Sequence, residues 1–574
     1  MLIDTISGCP WTAKGGKQLA SAPEQCRPVD KGLAAMMDPR RRSHRPLIMG
    51  RKAAVATNHP AATEAGLSML RAGGNAADAA AAISLALGVA EPHMSGLGGD
   101  GFYHIWASAE ARSVVYNGAG TAPAAADPAG FPQGMPLFGP ASISTPGALA
   151  AVTAMHAGHG VLPWSVICQP AINLARDGVP VTHTYRAFAG LMRARLQADP
   201  TAAVTFLHDG EIPELGALLV QPDLACTLEE VAANGADSFY RGSLARRLAA
   251  GLRQSGALVA VEDLAAFEPE VQQPLSIRYR GFEVRQTPPN STGFVLLQEL
   301  KIVERFDLAA LGEGSAELLH LLVEAKKLAF LDRERHAGDP RFRAVPLEHL
   351  LSDSYADELA GRIDPKRAAS IPLQQPVPTD GNTTYFCVVD GNGNAVSAIQ
   401  SLNNAFGSGT VAAGTGVLMN NRMNCWHLNM THPNALQPGK RVRHTMNAPM
   451  VLRDGRPWAV FGTPGADNQV QVNLQTAVSL IDLGLDPQQI AEAPRWSSDQ
   501  PGQGANWPHG GSDALTLEAG FPETALEGLG ERGHNLNMIP YLDGPCSIAC
   551  IRMLPNGVRM AGSDPRRDGW AGAL

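Results

Sequence analysis

The chain has 574 residues, enough for a large core or for several ordinary domains. Hydrophobic residues make up 45% and charged residues 17%, with 60 glycines and 43 prolines, which excludes a disordered or fibrous chain and favours a loop-rich globular enzyme. The net charge of −8 argues against a nucleic-acid partner.

The first 50 residues read as a solvated N-terminal arm with a basic cluster at Arg40, Arg41, Arg42 and Arg45. A signal peptide needs a continuous apolar run after such charges, but the next segment contains Asn58, His59, Pro60 and Glu64. Nowhere do about 18 uncharged apolar residues follow one another, so the expectation is a cytoplasmic protein without a membrane partner. Residues 60–70 then read as a short helix stopped by Gly73-Gly74, and Asn75 caps an Ala-rich helix running towards Leu87. The following stretch, Ser95-Gly96-Leu97-Gly98-Gly99-Asp100-Gly101, fits a dinucleotide fingerprint by letter. It follows a helix and opens the strand-like run 102–106, the reverse of what a nucleotide site needs, so these glycines are expected to permit a tight backbone approach.

Between about 144 and 380, helical patterns such as 170–177 and 315–330 alternate with connectors punctuated by proline and glycine, and no internal repeat is visible. The polar, Pro-rich stretch 372–379 precedes Asp380-Gly381-Asn382 and is a plausible exposed place for a scission. Next come two strand-like runs, 384–389 and 395–400, joined by the turn formers Asp390-Gly391-Asn392-Gly393-Asn394. A hairpin turn centred on Asn392 sets Thr383 opposite Ser401, with Asn403 just beyond, and a one-residue slip would undo this. Further on, the apolar strand 458–461 enters Gly462-Thr463-Pro464-Gly465-Ala466-Asp467, and Val470, Leu474, Ala477 and Ile481 mark one buried face of a helix. Such a turn presents free backbone N–H groups that suit an oxyanion, although a plain strand-to-helix turn fits the same letters.

The eight cysteines, at 9, 26, 168, 226, 387, 425, 546 and 550, match neither a disulfide framework nor a CxxC zinc module. Cys425, His427 and His432 are close enough to suggest a metal, but no second pair follows, and no metal or other cofactor is expected.

Taken together, Asn382-Thr383-Thr384, Ser401-Leu402-Asn403 and Gly462-Thr463-Pro464-Gly465 resemble the gamma-glutamyltranspeptidase family. The likeness begins near Ala53 and includes Gly73-Gly74-Asn75-Ala76, Gly96-Leu97-Gly98-Gly99, Ser144-Thr145-Pro146-Gly147, Pro288-Pro289-Asn290-Ser291, Gly338-Asp339-Pro340 and Ser563-Asp564-Pro565-Arg566. The resemblance implies an α+β fold, the four-layer αββα sandwich of the N-terminal-nucleophile hydrolases. It implies a single precursor that cuts itself between Asn382 and Thr383 into a large subunit, 51–382, and a small subunit, 383–574, which stay together. Thr383 would then be the nucleophile, positioned by Ser401 and Asn403, with the Gly465 and Ala466 amides as the oxyanion hole.

Two departures bear on the substrate, a small-molecule amide. The family's carboxylate-gripping arginine falls near Ala119 and its ammonium-gripping aspartate on Cys425. Losing both argues against a γ-glutamyl group, because an unpaired charge in a closed pocket costs several kcal/mol, roughly. His444-Thr445 replaces a serine pair, and Arg422 replaces a glutamine. The expectation is therefore an acid-bearing amide without an α-amino group, oxamate-like or glutaryl-like, held by Arg422 and by Arg443 or His444. A glutathione hydrolase or transferase and an uncleaved, silent scaffold are the alternatives.

Overall fold

A computed structural model describes residues 43–370, 382–544 and 546–574. Arg40, Arg41 and Arg42, Cys9 and Cys26, and the stretch 372–379 with Asp380 and Gly381 lie outside the described residues.

Two antiparallel seven-stranded sheets face each other. The first runs Trp570–Ala573, Ala54–Thr57, Asn382–Val389, Ala395–Asn403, Asp100–Ala107, Arg112–Gly118 and Glu270–Gln272. The second runs Ile48–Gly50, Arg559–Ser563, Ala549–Met553, Arg456–Gly462, Met450–Arg453, Phe282–Gln286 and Leu275–Tyr279. Tyr385, Cys387, Val389 and Ile399 of the first sheet meet Met450, Val460 and Ile551 of the second in a dry central layer. Phe386, Val388, Val396 and Ala398 point the other way, into a helical layer, so both faces of these strands are covered. A second helical layer backs the other sheet through Val451, Phe461 and Cys550. The order helix, sheet, sheet, helix is the expected αββα sandwich. It also explains why the central strands read as nearly unbroken apolar runs: neither face meets water.

Local chemistry sets the elements that frame the site. Helix α1, Pro60–Arg71, starts with Pro60 in its first turn and stops before Gly73, whose φ of +90° is costly for other residues. Asn75 and Asp78 form a reciprocal capping box at the head of α2, Ala76–Ala90, one turn longer than its periodicity suggests. The glycines that follow are indeed close-approach points. A Cβ on Gly98 would lie 2.2 Å from the Leu418 carbonyl, and one on Gly99 would lie 2.4 Å from that of Ser401. Strand β1, Asp100–Ala107, begins directly after them.

Later elements match their patterns with longer bounds. The pattern at 170–177 belongs to a helix Trp164–Asp177 that carries Pro170 inside it. Helix α3, His183–Ala198, walls one side of the site, and α4, Ala316–His336, is capped by Ser315. The expected arm is shorter than 50 residues, because Ile48–Gly50 is an edge strand paired with Arg559–Ser563. Arg45 is likewise not free in solvent: its backbone N–H donates to Glu492 at 2.8 Å. Among the described residues no helix is long and apolar enough to cross a membrane.

Candidate active site

Strands β2, Asn382–Val389, and β3, Ala395–Asn403, form the expected hairpin, its turn held by Asp390, which accepts from the Asn392 and Asn394 N–H groups. Pairing runs from Val389↔Ala395 to Thr384↔Gln400, the register set by a turn centred on Asn392. The ladder then breaks: a bulge places Asn382 opposite Asn403, so the single residue Thr383 faces two, Ser401 and Leu402, and the extra residue lies on β3. The Thr383 side chain still reaches the expected neighbour, since its Oγ1 donates to Ser401 Oγ at 3.3 Å. Ser401 Oγ in turn donates to the Asn382 carbonyl at 2.7 Å and accepts the Asn403 N–H at 2.7 Å. One hydroxyl therefore touches both the Thr383 side chain and the carbonyl of the preceding peptide. Asn403 is held at a φ of +84°, and its amide nitrogen donates to Asn424 at 2.9 Å.

The glycine-rich turn follows β4, Arg456–Gly462, and leads into α5, Asn468–Ile481. It is drawn towards β2 because Gly462 lies under the Tyr385 ring, where a Cβ would come within 2.3 Å. Gly465 has a φ of +124°, and Ala466, in place of the family's second glycine, adopts a left-handed φ of +48°. Neither N–H has an acceptor among the described residues. Asn382, Gly465 and Ala466 line a common cavity of about 560 Å³.

A relay of buried side chains joins that turn to the hairpin. Thr463 Oγ1 accepts the Ser547 N–H, Ser547 Oγ donates to Asn58, Asn58 donates to Thr384 Oγ1, and Thr384 Oγ1 donates to Glu91 at 2.7 Å. Burial pushes the Glu91 carboxyl up to about 7, against the pull of Thr384 and Arg567. Arg567 donates to the Thr383 carbonyl at 3.1 Å. None of Asn58, Glu91, Ser547 or Arg567 was assigned to the site from sequence; Glu91 alone, an acid after the apolar run 85–90, gave a signal, and Arg567 sits in the polar stretch 563–569.

The cations expected to grip a substrate carboxylate do not line the cavity. Arg422 is buried, with Nε donating to Asp100 at 3.0 Å and Nη1 to Asn403 Oδ1 at 2.8 Å. His444 Nε2 donates to the same carboxylate at 3.1 Å, while its Nδ1 accepts the Met446 N–H. Burial and the Arg422 charge lower His444 to about 4, so the ring is neutral. Burial alone would raise Asp100, but the hydrogen bond from His444 and the Arg422 charge hold it below the usual carboxylate range. Arg443 is paired with Glu334 at 2.8 Å, and Thr445 is buried beside His444. At the family's arginine position, the Ala119 carbonyl accepts from Arg441, itself committed to Glu270 at 3.0 Å. Cys425 is a buried thiol facing Asn506 at 3.1 Å, raised by burial and thus neutral.

The cavity instead presents Lys326, Arg566 and Arg567. Arg566 is locked by Glu518 and Asp564. Lys326 is fully buried, donates to the Ser498 carbonyl, and is lowered to about 7 by burial and by the charge of Arg333. As for the suspected metal residues, Cys425 turns away, whereas His427 stacks between His432, 3.5 Å away, and His509, 3.6 Å away.

The gamma-glutamyltranspeptidase model matches residues 62–574. The chain belongs to the gamma-glutamyltranspeptidase family. A glutathione hydrolase-like proenzyme of Bacillus subtilis is 36% identical over 91% of this chain and 99% of its own. The oxamate amidohydrolase proenzyme of Klebsiella pneumoniae is 34% identical over 90% of this chain and 97% of its own. The crystal structure of cephalosporin acylase from Bacillus halodurans superposes with a TM-score of 0.84, at 33% identity, covering 97% of this chain and 99% of that one. Membership makes this an amide-cleaving enzyme with the α+β sandwich of the N-terminal-nucleophile hydrolases, made as a precursor that processes itself.

Proposed function

We propose that the chain cuts itself between Asn382 and Thr383, and that the new N-terminal Thr383 hydrolyses an amide whose acyl group ends in a carboxylate and lacks an α-amino group. The observation that carries this reading is Ser401 Oγ, placed between the Thr383 hydroxyl and the Asn382 carbonyl. For processing, Thr383 Oγ attacks the Asn382 carbonyl carbon while Ser401 polarises its oxygen. The C–N bond breaks, an ester forms on Oγ, and the hydroxyl proton passes to the departing nitrogen. Water then releases Asn382 as a carboxylate and vacates its place in the cavity. In turnover the freed α-amino group, with an intrinsic pKa of about 7.7 to 8.0, takes the Oγ proton, and the Gly465 and Ala466 N–H groups receive the oxyanion. Water resolves the acyl-enzyme.

The substrate reading rests on the two γ-glutamyl clamp positions and on Lys326, in a cavity that Asp467, Asp499 and Asp543 also line. Cys425 offers an ammonium group no counter-ion, and Arg441 is tied to Glu270, so a γ-glutamyl clamp is lacking at both positions. Lys326 has three donors and one assigned acceptor, which leaves it able to meet an acyl-chain carboxylate in the role expected of Arg422. Oxamate-type and glutaryl-type amides fit this description. Denaturing electrophoresis tests the first half: wild type should give two bands and Thr383→Ala one, and a wild type that stays single would refute it. Hydrolysis of matched γ-glutamyl, glutaryl and oxamate amides tests the second, and preference for the γ-glutamyl compound would return the enzyme to glutathione hydrolysis.

A further inference from the structure

We propose that His320, Glu324 and His534 form a binding site for a zinc-class divalent ion, away from the cavity in front of Thr383. The three side chains are 2%, 3% and 9% exposed, and their ligand atoms all lie within 4.8 Å of one another. His320 and Glu324 are four residues apart on α4, hence on one face of that helix. His534 enters from the other side of position 383, between the helix Glu523–Glu531 and the strand Asn535–Ile539.

The surroundings already orient the donors. His320 Nε2 lies 2.8 Å from the Asp364 carbonyl, which can only accept, so Nε2 carries the proton and Nδ1 presents a lone pair. A carbonyl on the far nitrogen is the arrangement that usually fixes a ligating imidazole. That lone pair faces His534 Nε2 at 2.8 Å. Glu324 is aligned by the Ala369 N–H at 3.0 Å and by Lys327 at 2.7 Å, one on each oxygen, and each oxygen keeps a second lone pair. Two imidazoles and a carboxylate are a zinc donor set with a fourth position open to water. Binding needs one tautomer change, the His534 proton moving from Nε2 to Nδ1. It also needs the two nitrogens to open by roughly 0.5 Å so that each can sit about 2.0 to 2.1 Å from the ion. Arg532, the nearby arginine, is neutralised by Glu317 at 2.6 Å. The comparable group Glu334, His427 and His432 is a poorer candidate, because Arg333 and Arg443 already hold Glu334.

Such an ion would fasten α4 to the 534 segment and hold the backbone at Ala369, whose N–H rests on Glu324. The test uses full-length protein freed of metal by chelation, then titrated with zinc and, separately, with cobalt(II). One equivalent of zinc should bind, cobalt should give the visible absorption of a four-coordinate N/O site, and zinc should raise the melting temperature. His534→Gln keeps an amide N–H for His320 Nδ1, and Glu324→Gln keeps an oxygen for Ala369. Both variants should fold yet bind zinc at least tenfold more weakly. Absence of stoichiometric binding by folded wild type, or equal binding by His534→Gln, would overturn the proposal.

Discussion

Two buried cations stand near the head of the hairpin, and they are used differently. Arg422 is fixed by Asp100 and Asn403 and shares the carboxylate with neutral His444, so its charge is consumed in holding the frame around Asn403. Lys326 faces the cavity with one carbonyl acceptor and its pKa drawn down to about 7. The comparison teaches that an added positive residue in a sequence says little about ligand binding until its counter-ion is known. Asp100, the last polar letter of the glycine-rich stretch, is that counter-ion for Arg422.

Breaking Arg422 should give the largest effect. Arg422→Met leaves Asp100 with only neutral donors, His444 and the Gly120 N–H, and Asn403 Oδ1 with only the weak Cys425 thiol, and removing one partner of a buried pair costs about 3–5 kcal/mol. Chemical denaturation should show that loss, and the two-band pattern should weaken as Asn403 loosens. A shift below about 1 kcal/mol, the range of exposed pairs, would place Arg422 outside the frame.

Glu91 sharpens the same contrast through pH. Its folded pKa, about 7, lies above the ordinary value of 4.5, so the folded state keeps the proton longer than the unfolded state. Its contribution is therefore most favourable below pH 4.5, declines as pH rises to about 7, and stays flat above. The loss is on the order of 3 kcal/mol. Denaturant midpoints from pH 4.5 to 8 should fall with less slope in Glu91→Gln than in wild type, and parallel curves would show that the acid does not titrate in this window.

Lys326→Met comes next. Loss of a charged donor is worth about 1.5–3 kcal/mol, so KM for acid-tailed amides should rise roughly tenfold to a hundredfold. KM for neutral amides should move little, as should kcat, because Lys326 would bind the ground and transition states alike. An equal rise for both substrate types would make Lys326 a support for the Ser498 loop.

The legible parts of the molecule were those governed by local rules. The hairpin register followed from five turn-forming residues, and the helical pair at 60–90 from a proline, a glycine stop and a capping asparagine. Two sheets buried on both faces left runs such as 385–389 that read as strands at once. Contacts between distant segments were not legible. The bulge of Ser401-Leu402 against Thr383 comes just before Asn403, which pairs with Asn382 at positive φ, and the relay from Thr463 to Glu91 joins residues scattered from 58 to 547. Arg422 was misassigned for the same reason: its partner lies 322 positions earlier.

The smallest expected effect concerns the turn that faces the hairpin. Ala466 sits at a φ of +48°, where an L-residue with a Cβ pays about 1–2 kcal/mol that glycine does not. Glycine also has more freedom to lose on folding, about 0.5–1 kcal/mol, so Ala466→Gly should raise stability by between about 0 and about 1.5 kcal/mol. Its effect on turnover has the opposite sign. The alanine narrows the backbone states available to the N–H that meets the oxyanion, and a preorganised donor is what lowers the barrier. Ala466→Gly should therefore melt slightly higher and turn over several-fold more slowly with KM unchanged. A variant that gains both stability and rate would show that the strain at Ala466 serves no purpose in holding the donor.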